Sequence, residues 1–329
     1  MIQTVAEAHP ILYHYTTGAG LQGIIESQQL RATNISFLND VEEHVGYFDR
    51  RLPGLMDDAM QSVISELKKS ATGRKMLKKA GGVDKAMEYT RRLGRSIRKT
   101  TLTLNSPYVT SFCSAPPDQD PDDGLLSQWR GYGTDGSYAI AFDSRSLEQL
   151  LLAEGTSFHE QFAIWGDVRY YDKNDNLKGI LPETVEQEKT IRETLAKFFT
   201  EGGVDNLDPL YRPITGLSCL HKHWGFREER EVRIVVLPAS KDIYELGVKS
   251  GDKRPQKQIH LLTKNGIPTP YINLFGSTDG GATQKLPIKK VIVGPHLERL
   301  KRQKAVQIML EQHEISAEVV VSEIPYVGR

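Results

Sequence analysis

Hydrophobic positions along the chain switch between a period of two and a helical period in short stretches. ILYHYT at 11–16 is rich in aromatic and β-branched residues and predicts a strand. Leu21, Ile24, Ile25 and Leu30 then recur at helical spacing, with Gly18 and Gly20 loosening the start of the helix. NISF at 34–37 reads as a brief extended piece, and Asp40 with Glu43 three residues on predicts the N-cap of a further helix. Residues 53–103 predict two helices broken near Gly81 and Gly82. Strand patterns follow at 108–114 and 137–142, separated by the loop APPDQDPDD. An amphipathic helix is predicted over 182–200, stopped by Gly202 and Gly203. EVRIVVL at 231–237 is the strongest strand pattern, and KKVIVGP, a helix at 297–312 and AEVVVSEIP predict a strand–helix–strand unit.

Composition narrows the picture. A chain of 329 residues suits two domains or one with insertions, and 39% hydrophobic with 26% charged residues is ordinary for a globular protein. Lys and Arg balance Asp and Glu at 42 each, which argues against whole-molecule attraction to nucleic acid or membrane. The balance is not local: twelve Lys or Arg between Lys68 and Lys99 face only Asp84 and Glu88. Such a run is usually a solvated helical face, and docking of RNA, DNA or an acidic protein partner is about as good a reading. Cys113 and Cys219 show no metal-ligand spacing and cannot build a disulfide framework. With no secretion signal and no apolar run long enough to span a bilayer, the expected compartment is the cytoplasm.

Two segments carry candidate chemistry. A histidine at the end of the first strand, His14, shares a face with Leu12 and Thr16 and can hydrogen-bond a ribose hydroxyl or an amide while neutral. Taken alone it is more often a structural group. In FREEREVRIVV, 226–236, alternation places Glu229, Glu231 and Arg233 on one face, opposite Val232, Ile234 and Val236. Paired carboxylates repel on a merely solvated strand, although a charged edge strand is the plain alternative. A site reading gives a carboxylate the task of positioning a hydroxyl or stabilising positive charge on a sugar. In SQWRGYG, Trp129, Arg130 and Tyr132 crowd a glycine-punctuated turn, as a pyrophosphate clamp or as a core anchor with Arg stacked on it. Asp118, Asp120, Asp122 and Asp123 lack calcium-loop spacing, and His221 and His223 lack a third ligand, so no metal is assigned. Lys222 suits a carboxylate, a phosphate or plain solvent. No GxGxxG or P-loop is present.

LYHYTTGAGLQGIIESQQLRA resembles the opening of the poly-ADP-ribose-polymerase-type transferases: a strand-borne His, a short polar turn, an Ile-rich helix and a closing Leu-Arg. ISFLND at 35–40 stands where that group has its next aromatic strand, with Phe37 or Ser36 at the place of the nicotinamide-stacking Tyr. Glu231 heads its strand as the catalytic Glu of the family does, and Glu229 supplies the first acid of an E-x-E pair as in the toxin-like branch. Ser111 or Ser114 of SFCS matches the serine that braces that Glu. The replaced Tyr leaves Tyr15, Trp129 and Tyr132 as further stacking candidates. Over residues 13–295 the chain is closer still to the bacterial domain of unknown function 2971 family, through YHYT, LND with Glu43, SFCS, SQWRGYG, FREEREVR and VIVGP.

These resemblances imply an α+β fold: an ADP-ribosyltransferase-like split mixed β-sheet with a cleft, in one domain over 1–329. A basic helical insertion at 53–103 and a C-terminal strand–helix–strand extension at 285–329 complete it. The implied activity is ADP-ribosyl transfer from NAD, as substrate and without a metal, to a protein or nucleic acid docked on Lys68 to Lys99. A toxin or phage-defence role with a neutralising partner protein follows from kinship alone. Glu231, Glu229 and His14 are the expected catalytic residues. His14, Tyr15, Thr16, Phe37, Asn39, Ser111, Trp129, Arg130, Tyr132 and Arg233 are expected to contact NAD. The alternatives are an NAD glycohydrolase and an inactive NAD- or nucleotide-sensing module.

Overall fold

The computed structural model describes residues 4–38, 43–104, 106–132, 137–171, 182–201, 208–264, 266–275 and 284–326. A short helix, α1 (Val5–Ala8), leads into β1 (Ile11–Thr17). Thr17 ends that strand and caps α2 (Gly18–Ser27), its hydroxyl accepting from the Gly20 amide at 3.2 Å. The helix buries the predicted Leu21, Ile24 and Ile25. β2 occupies Leu30–Asn34, and the predicted extended piece NISF is instead a 3₁₀ turn over Ile35–Phe37. The Asn34 side chain causes the difference, accepting from the Ser36 amide at 3.1 Å and turning the chain at once. The predicted cap Asp40 lies outside the described residues.

Helix α3 (Glu43–Gly46) runs through a π-helical turn, Tyr47–Arg51, into the basic segment. Three helices form there where the sequence predicts two: α4 (Leu52–Lys68), α5 (Ala71–Lys79) and α6 (Gly82–Leu104). The extra break falls at Ser70, whose side chain caps α5 through the Gly73 amide at 2.9 Å. The predicted break is present as well, with Gly81 and Gly82 at φ +93° and +88°, a conformation only glycine adopts readily. After β3 (Tyr108–Cys113) come α7 (Leu126–Tyr132), β4 (Ser137–Asp143), α8 (Ser144–Ser157), β5 (Glu160–Asp167), β6 (Arg169–Tyr171), α9 (Pro182–Glu201) and α10 (Asp208–Cys219). The rest runs β7 (His221–His223), a 3₁₀ turn Trp224–Glu229, β8 (Glu231–Pro238), α11 (Lys241–Lys249), β9 (His260–Lys264), β10 (Ile267–Leu274), β11 (Ile288–Val293), α12 (Arg299–Gln312) and β12 (Glu318–Val321).

The result is a mixed α+β protein built on a ten-stranded, mostly antiparallel sheet in the order β12-β11-β4-β1-β3-β2-β10-β9, with β8 and β5 branching from β3. The predicted C-terminal strand–helix–strand unit adds to the β4 edge, β11 and β12 pairing in parallel. β3 is the seam. One of its edges pairs with β8 from Tyr108↔Val236 to Cys113↔Glu231. The other is shared, taking β2 at Tyr108 and Val109 and β1 only at Cys113↔Tyr13. Between those points side chains bridge the parted strands: Thr110 Oγ1 donates to the Arg31 carbonyl at 3.0 Å, and His14 Nδ1 reaches the Ser111 carbonyl at 2.9 Å.

Strand alternation gives the sheet two apolar faces. Leu12, Phe112, Ile140, Phe142, Val232 and Ile234 pack under α2 and α12. Tyr13, Tyr15, Cys113, Ala139 and Ala141 face the other way, against Leu125 and Trp129. The helices of the basic segment do not rest on this core. Leu52, Leu55 and Met56 of α4 pack on Ile191 and Leu195 of α9 and Ile214 of α10, a separate helical core.

Ile234 is fully buried whereas Leu152 on α8 is 68% exposed. Ile234→Ala is expected to cost about 2–5 kcal/mol and Leu152→Ala less than about 0.5 kcal/mol, read from urea unfolding midpoints.

Candidate functional site

The site is built where β8 begins. Val232, Ile234 and Val236 drive one face of β8 into the core, so Glu231 and Arg233 are delivered to the other. Neither reaches open water, at 4% and 1% exposed. Their guanidinium–carboxylate pair is bidentate, Arg233 Nε to Glu231 Oε1 at 2.7 Å and Nη2 to Oε2 at 2.9 Å. Arg233 Nη1 donates to the Cys219 carbonyl at 2.7 Å.

Glu229 is not on this strand, contrary to the alternation read from the sequence. Arg230 adopts a left-handed φ of +44° and ends the 3₁₀ turn, so Glu229 approaches from the side. The two carboxylates nevertheless converge, because Lys222 Nζ donates to Glu229 Oε2 at 2.7 Å and to Glu231 Oε2 at 3.1 Å. Lys222 is 6% exposed and lies 4.8 Å from the Phe226 ring centroid.

β6 and β7 form a separate parallel pair in which Tyr170 stands opposite Lys222. Tyr170 Oη accepts from the Glu231 amide at 2.9 Å, while the Glu231 carbonyl accepts from the Val168 amide at 2.8 Å. The Ser114 amide holds the preceding carbonyl, that of Arg230, at 3.0 Å. Glu231 is thus fixed through its main chain and through both carboxylate oxygens. Burial alone would raise its pKa, but the Arg233 and Lys222 charges, with hydrogen bonds from Arg233 and Ser111, reverse the direction and hold it below the ordinary carboxylate value. Burial and the neighbouring Glu231 and Glu229 charges push the Cys113 thiol up and leave it unreactive.

His14 meets this cluster from behind. Tyr13, Cys113 and Glu231 are register partners and share a face, so His14 projects from the opposite one, edge-on to Phe112 at 5.8 Å. Burial lowers its pKa, partly offset by the Ser111 carbonyl, so the ring is neutral at pH 7 and Nδ1 carries the proton it donates. Ser111 joins the two halves: its carbonyl receives His14 and its hydroxyl bonds Glu231. His14 and Glu231 are therefore one residue apart in hydrogen bonding but do not face each other across open space.

The other expected contacts scatter. Tyr15 and Trp129 pack edge to face at 4.8 Å in the core, the tyrosine hydroxyl accepting from the Leu125 amide and the indole N–H donating to the Asp123 carbonyl. Both are too committed to stack on a ligand. Arg130 does not form a clamp with Trp129; its guanidinium lies 5.5 Å over Tyr326. Arg233, expected to contact NAD, is instead consumed by Glu231 and Cys219. Thr16 is buried at 8%, and Phe37 is exposed at 39% on the 3₁₀ turn after β2. Tyr132 ends α7, while Asn39 lies outside the described residues. Ser114 turns its hydroxyl to the Arg230 carbonyl at 3.4 Å, leaving Ser111 as the brace of Glu231. The aspartate-rich loop is tied into the C-terminal unit by Asp122–Lys290 at 2.6 Å. Among the described residues no three His, Cys, Asp or Glu side chains form a metal-sized group.

Two contributors were not assigned from sequence. Tyr170 acts through its hydroxyl on a backbone amide sixty-one positions away, which no spacing rule announces. Phe226, 40% exposed beside Lys222, is an open aromatic ring at the site, and its place as the first residue of FREEREVR was its only signal.

Removing the partner of a buried charge costs about 3–5 kcal/mol, so Glu231→Gln is expected to destabilise by that order at pH 7. Because the folded pKa lies below the unfolded 4.5, the ionised carboxylate's contribution is complete above about pH 4.5 and is lost as pH falls through the folded value. Urea unfolding of wild type and Glu231→Gln should therefore converge as pH drops below that point.

Comparison with known proteins bears on part of this region. Neither the curated proteins nor the solved structures contain a match to the chain. No described helix is long and apolar enough to cross a membrane. Residues 128–234 match the family model described as Protein of unknown function (DUF2971), a segment that runs from α7 through Lys222, Glu229, Glu231 and Arg233 and takes in about a third of the chain.

Proposed function

We propose that the chain cleaves the nicotinamide–ribose bond of NAD and transfers ADP-ribose to a macromolecular acceptor. The observation that supports this reading is the convergence of Glu229 and Glu231 on Lys222, with Ser111 bracing Glu231 and Phe226 exposed beside them. An ionised, immobile carboxylate is what an oxocarbenium-like ribose requires.

In this mechanism Phe226 stacks on the nicotinamide ring and Glu231 accepts a hydrogen bond from a ribose hydroxyl. The glycosidic C–N bond breaks, its electron pair leaving with neutral nicotinamide, and positive charge grows on the ribose beside Glu231. The acceptor nucleophile then bonds to that carbon and gives its proton to Glu229. Glu229 is the freer of the two acids, with its side chain 23% exposed. His14 works as a positioning residue by fixing the Ser111 carbonyl, and with it the strand that carries the bracing hydroxyl. Arg233 keeps Glu231 ionised in the absence of substrate. The acceptor docks on the basic helices.

The engagement of both Glu231 oxygens by Arg233 favours a second reading, in which the same residues bind NAD without turning it over.

Incubation with NAD labelled in its adenylate half, with and without cell lysate, separates these readings. Wild type should place label on a macromolecule, and Glu229→Gln should lower the rate by at least about 100-fold while remaining folded by circular dichroism. Label found only in free ADP-ribose would make the protein a glycohydrolase. Binding of NAD by calorimetry with no consumption would support the second reading and overturn the first.

A further inference from the structure

The main sheet ends at β9, whose hairpin with β10 has two unlike edges. The two strands pair from His260↔Tyr271 to Lys264↔Ile267. A proline cannot donate to a ladder, so the hydrogen-bonded pairs are those of Ile267, Thr269 and Tyr271. Pro268 and Pro270 therefore turn their nitrogens to the other edge of β10, where pairing with β2 covers only Tyr271 to Leu274. The prolines close the part of that edge that projects past β2. By the same alternation, Leu261 and Thr263 turn their backbone N–H and C=O groups to the outer edge of β9. No described strand pairs with them there.

The side chains along this edge suit a second copy of the same strand. Ile259 is 59% exposed, Leu261 66% and Leu262 44%, and Thr263 and Lys264 are exposed as well. From Ile259 to Lys264 the one charged side chain is Lys264, next to the turn, so an acidic or basic strand would meet no row of opposite charges. An antiparallel copy fits better. With Leu261 opposite Leu261 of the second copy, Ile259 falls opposite Thr263 and His260 opposite Leu262. Each Lys264 then falls opposite Gln258, and the two lysines lie at opposite ends, so no like charges are opposed. The whole chain is neutral, with 42 basic and 42 acidic residues, and net charge does not keep two copies apart. Such a contact is isologous and closes at two copies, whereas β9 pairing with β12 at the far end of the sheet would run on into filaments.

We propose that two copies of the chain join through their β9 edges, antiparallel about a two-fold axis at Leu261, into one continuous sheet. Leu261 exchanges both backbone hydrogen bonds with Leu261 of the second copy, and Thr263 does so with Ile259. On the face they share, Ile259, Leu261 and Thr263 of both copies form a row of cross-strand contacts. The interface is small, so the dimer dissociates on dilution.

The test is sedimentation velocity of the full chain without NAD, from about 1 µM to about 100 µM, so its outcome is independent of the transferase reading. Wild type should pass from monomer to dimer and go no further. Thr263→Pro removes a donor from the outer edge and leaves the hydrogen-bonded pairs with β10 in place, while Leu261→Lys sets two like charges face to face; circular dichroism checks that both fold. Each change counts twice across the axis and should weaken the dimer by at least about tenfold. Leu261→Cys should cross-link between copies under mild oxidation, because the Cα atoms of a hydrogen-bonded antiparallel pair lie about 5.5 Å apart, and Leu262→Cys should not. The native Cys113 and Cys219 are buried and do not compete. A wild type that stays monomeric overturns the proposal. So does a dimer indifferent to Thr263→Pro and Leu261→Lys, or cross-linking through Leu262→Cys in preference to Leu261→Cys.

Discussion

Burying a carboxylate requires that nearly every direction around it be answered, and much of the architecture near β8 follows from answering Glu231. Arg233 takes both of its oxygens, Lys222 a third contact and Ser111 a fourth. Each partner comes from a different place in the chain. Arg233 is two residues away on the same strand, Ser111 lies on the neighbouring β3, and Lys222 sits on a parallel ribbon outside the main sheet. A buried ion pair of this kind rarely stabilises a fold more than apolar residues of the same volume would. Its persistence at the first residue of the most apolar strand is better understood as the cost of keeping one carboxylate ionised and still.

That constraint also explains the small ribbon of β6 and β7. Two three-residue strands contribute little on their own. Here they place Tyr170 and Lys222 side by side, one on the Glu231 amide and the other on its carboxylate. The opposite side of the same ribbon carries His221, buried and stacked on Tyr171 at 5.1 Å, with its pKa lowered to about 3 by burial and nearby arginines. The ribbon is therefore locked between the sheet and the helical unit, and Glu231 inherits the rigidity of both.

The sequence was legible where periodicity and local chemistry act together. β1, α2, β4, α9, β8 and the C-terminal unit lie close to where their patterns put them, because each buries one continuous apolar face. It was less legible where a single side chain overrides the pattern, as Asn34 does in folding NISF into a 3₁₀ turn, or Ser70 in starting an extra helix. The candidate site divides in the same way. Glu231 and Arg233 were visible as unusual residues on a strand, and Ser111 only as an alternative to Ser114 through a family resemblance. The placement of Glu229 depends on one left-handed residue, Arg230, and that of His14 on how β1 parts from β3. Trp129 and Tyr15 look like ligand contacts in sequence because aromatic rings serve cores and sites equally well.

The seam at β3 and the late addition of β11 and β12 bear on how the chain matures during synthesis. The edge of β4 that receives β11 belongs to residues made well before it, and Asp123, whose carbonyl accepts from Trp129, is also bonded by Ser322 and the Glu323 amide from about 200 positions away. A chain emerging from the ribosome therefore completes β1, β3 and β4 while one edge of its sheet is still open. During that interval β4 offers unpaired hydrogen-bonding groups to any strand that reaches it first. Release from this exposed state waits on the synthesis of β11, so its vulnerability to mispairing is set by translation speed as much as by sequence.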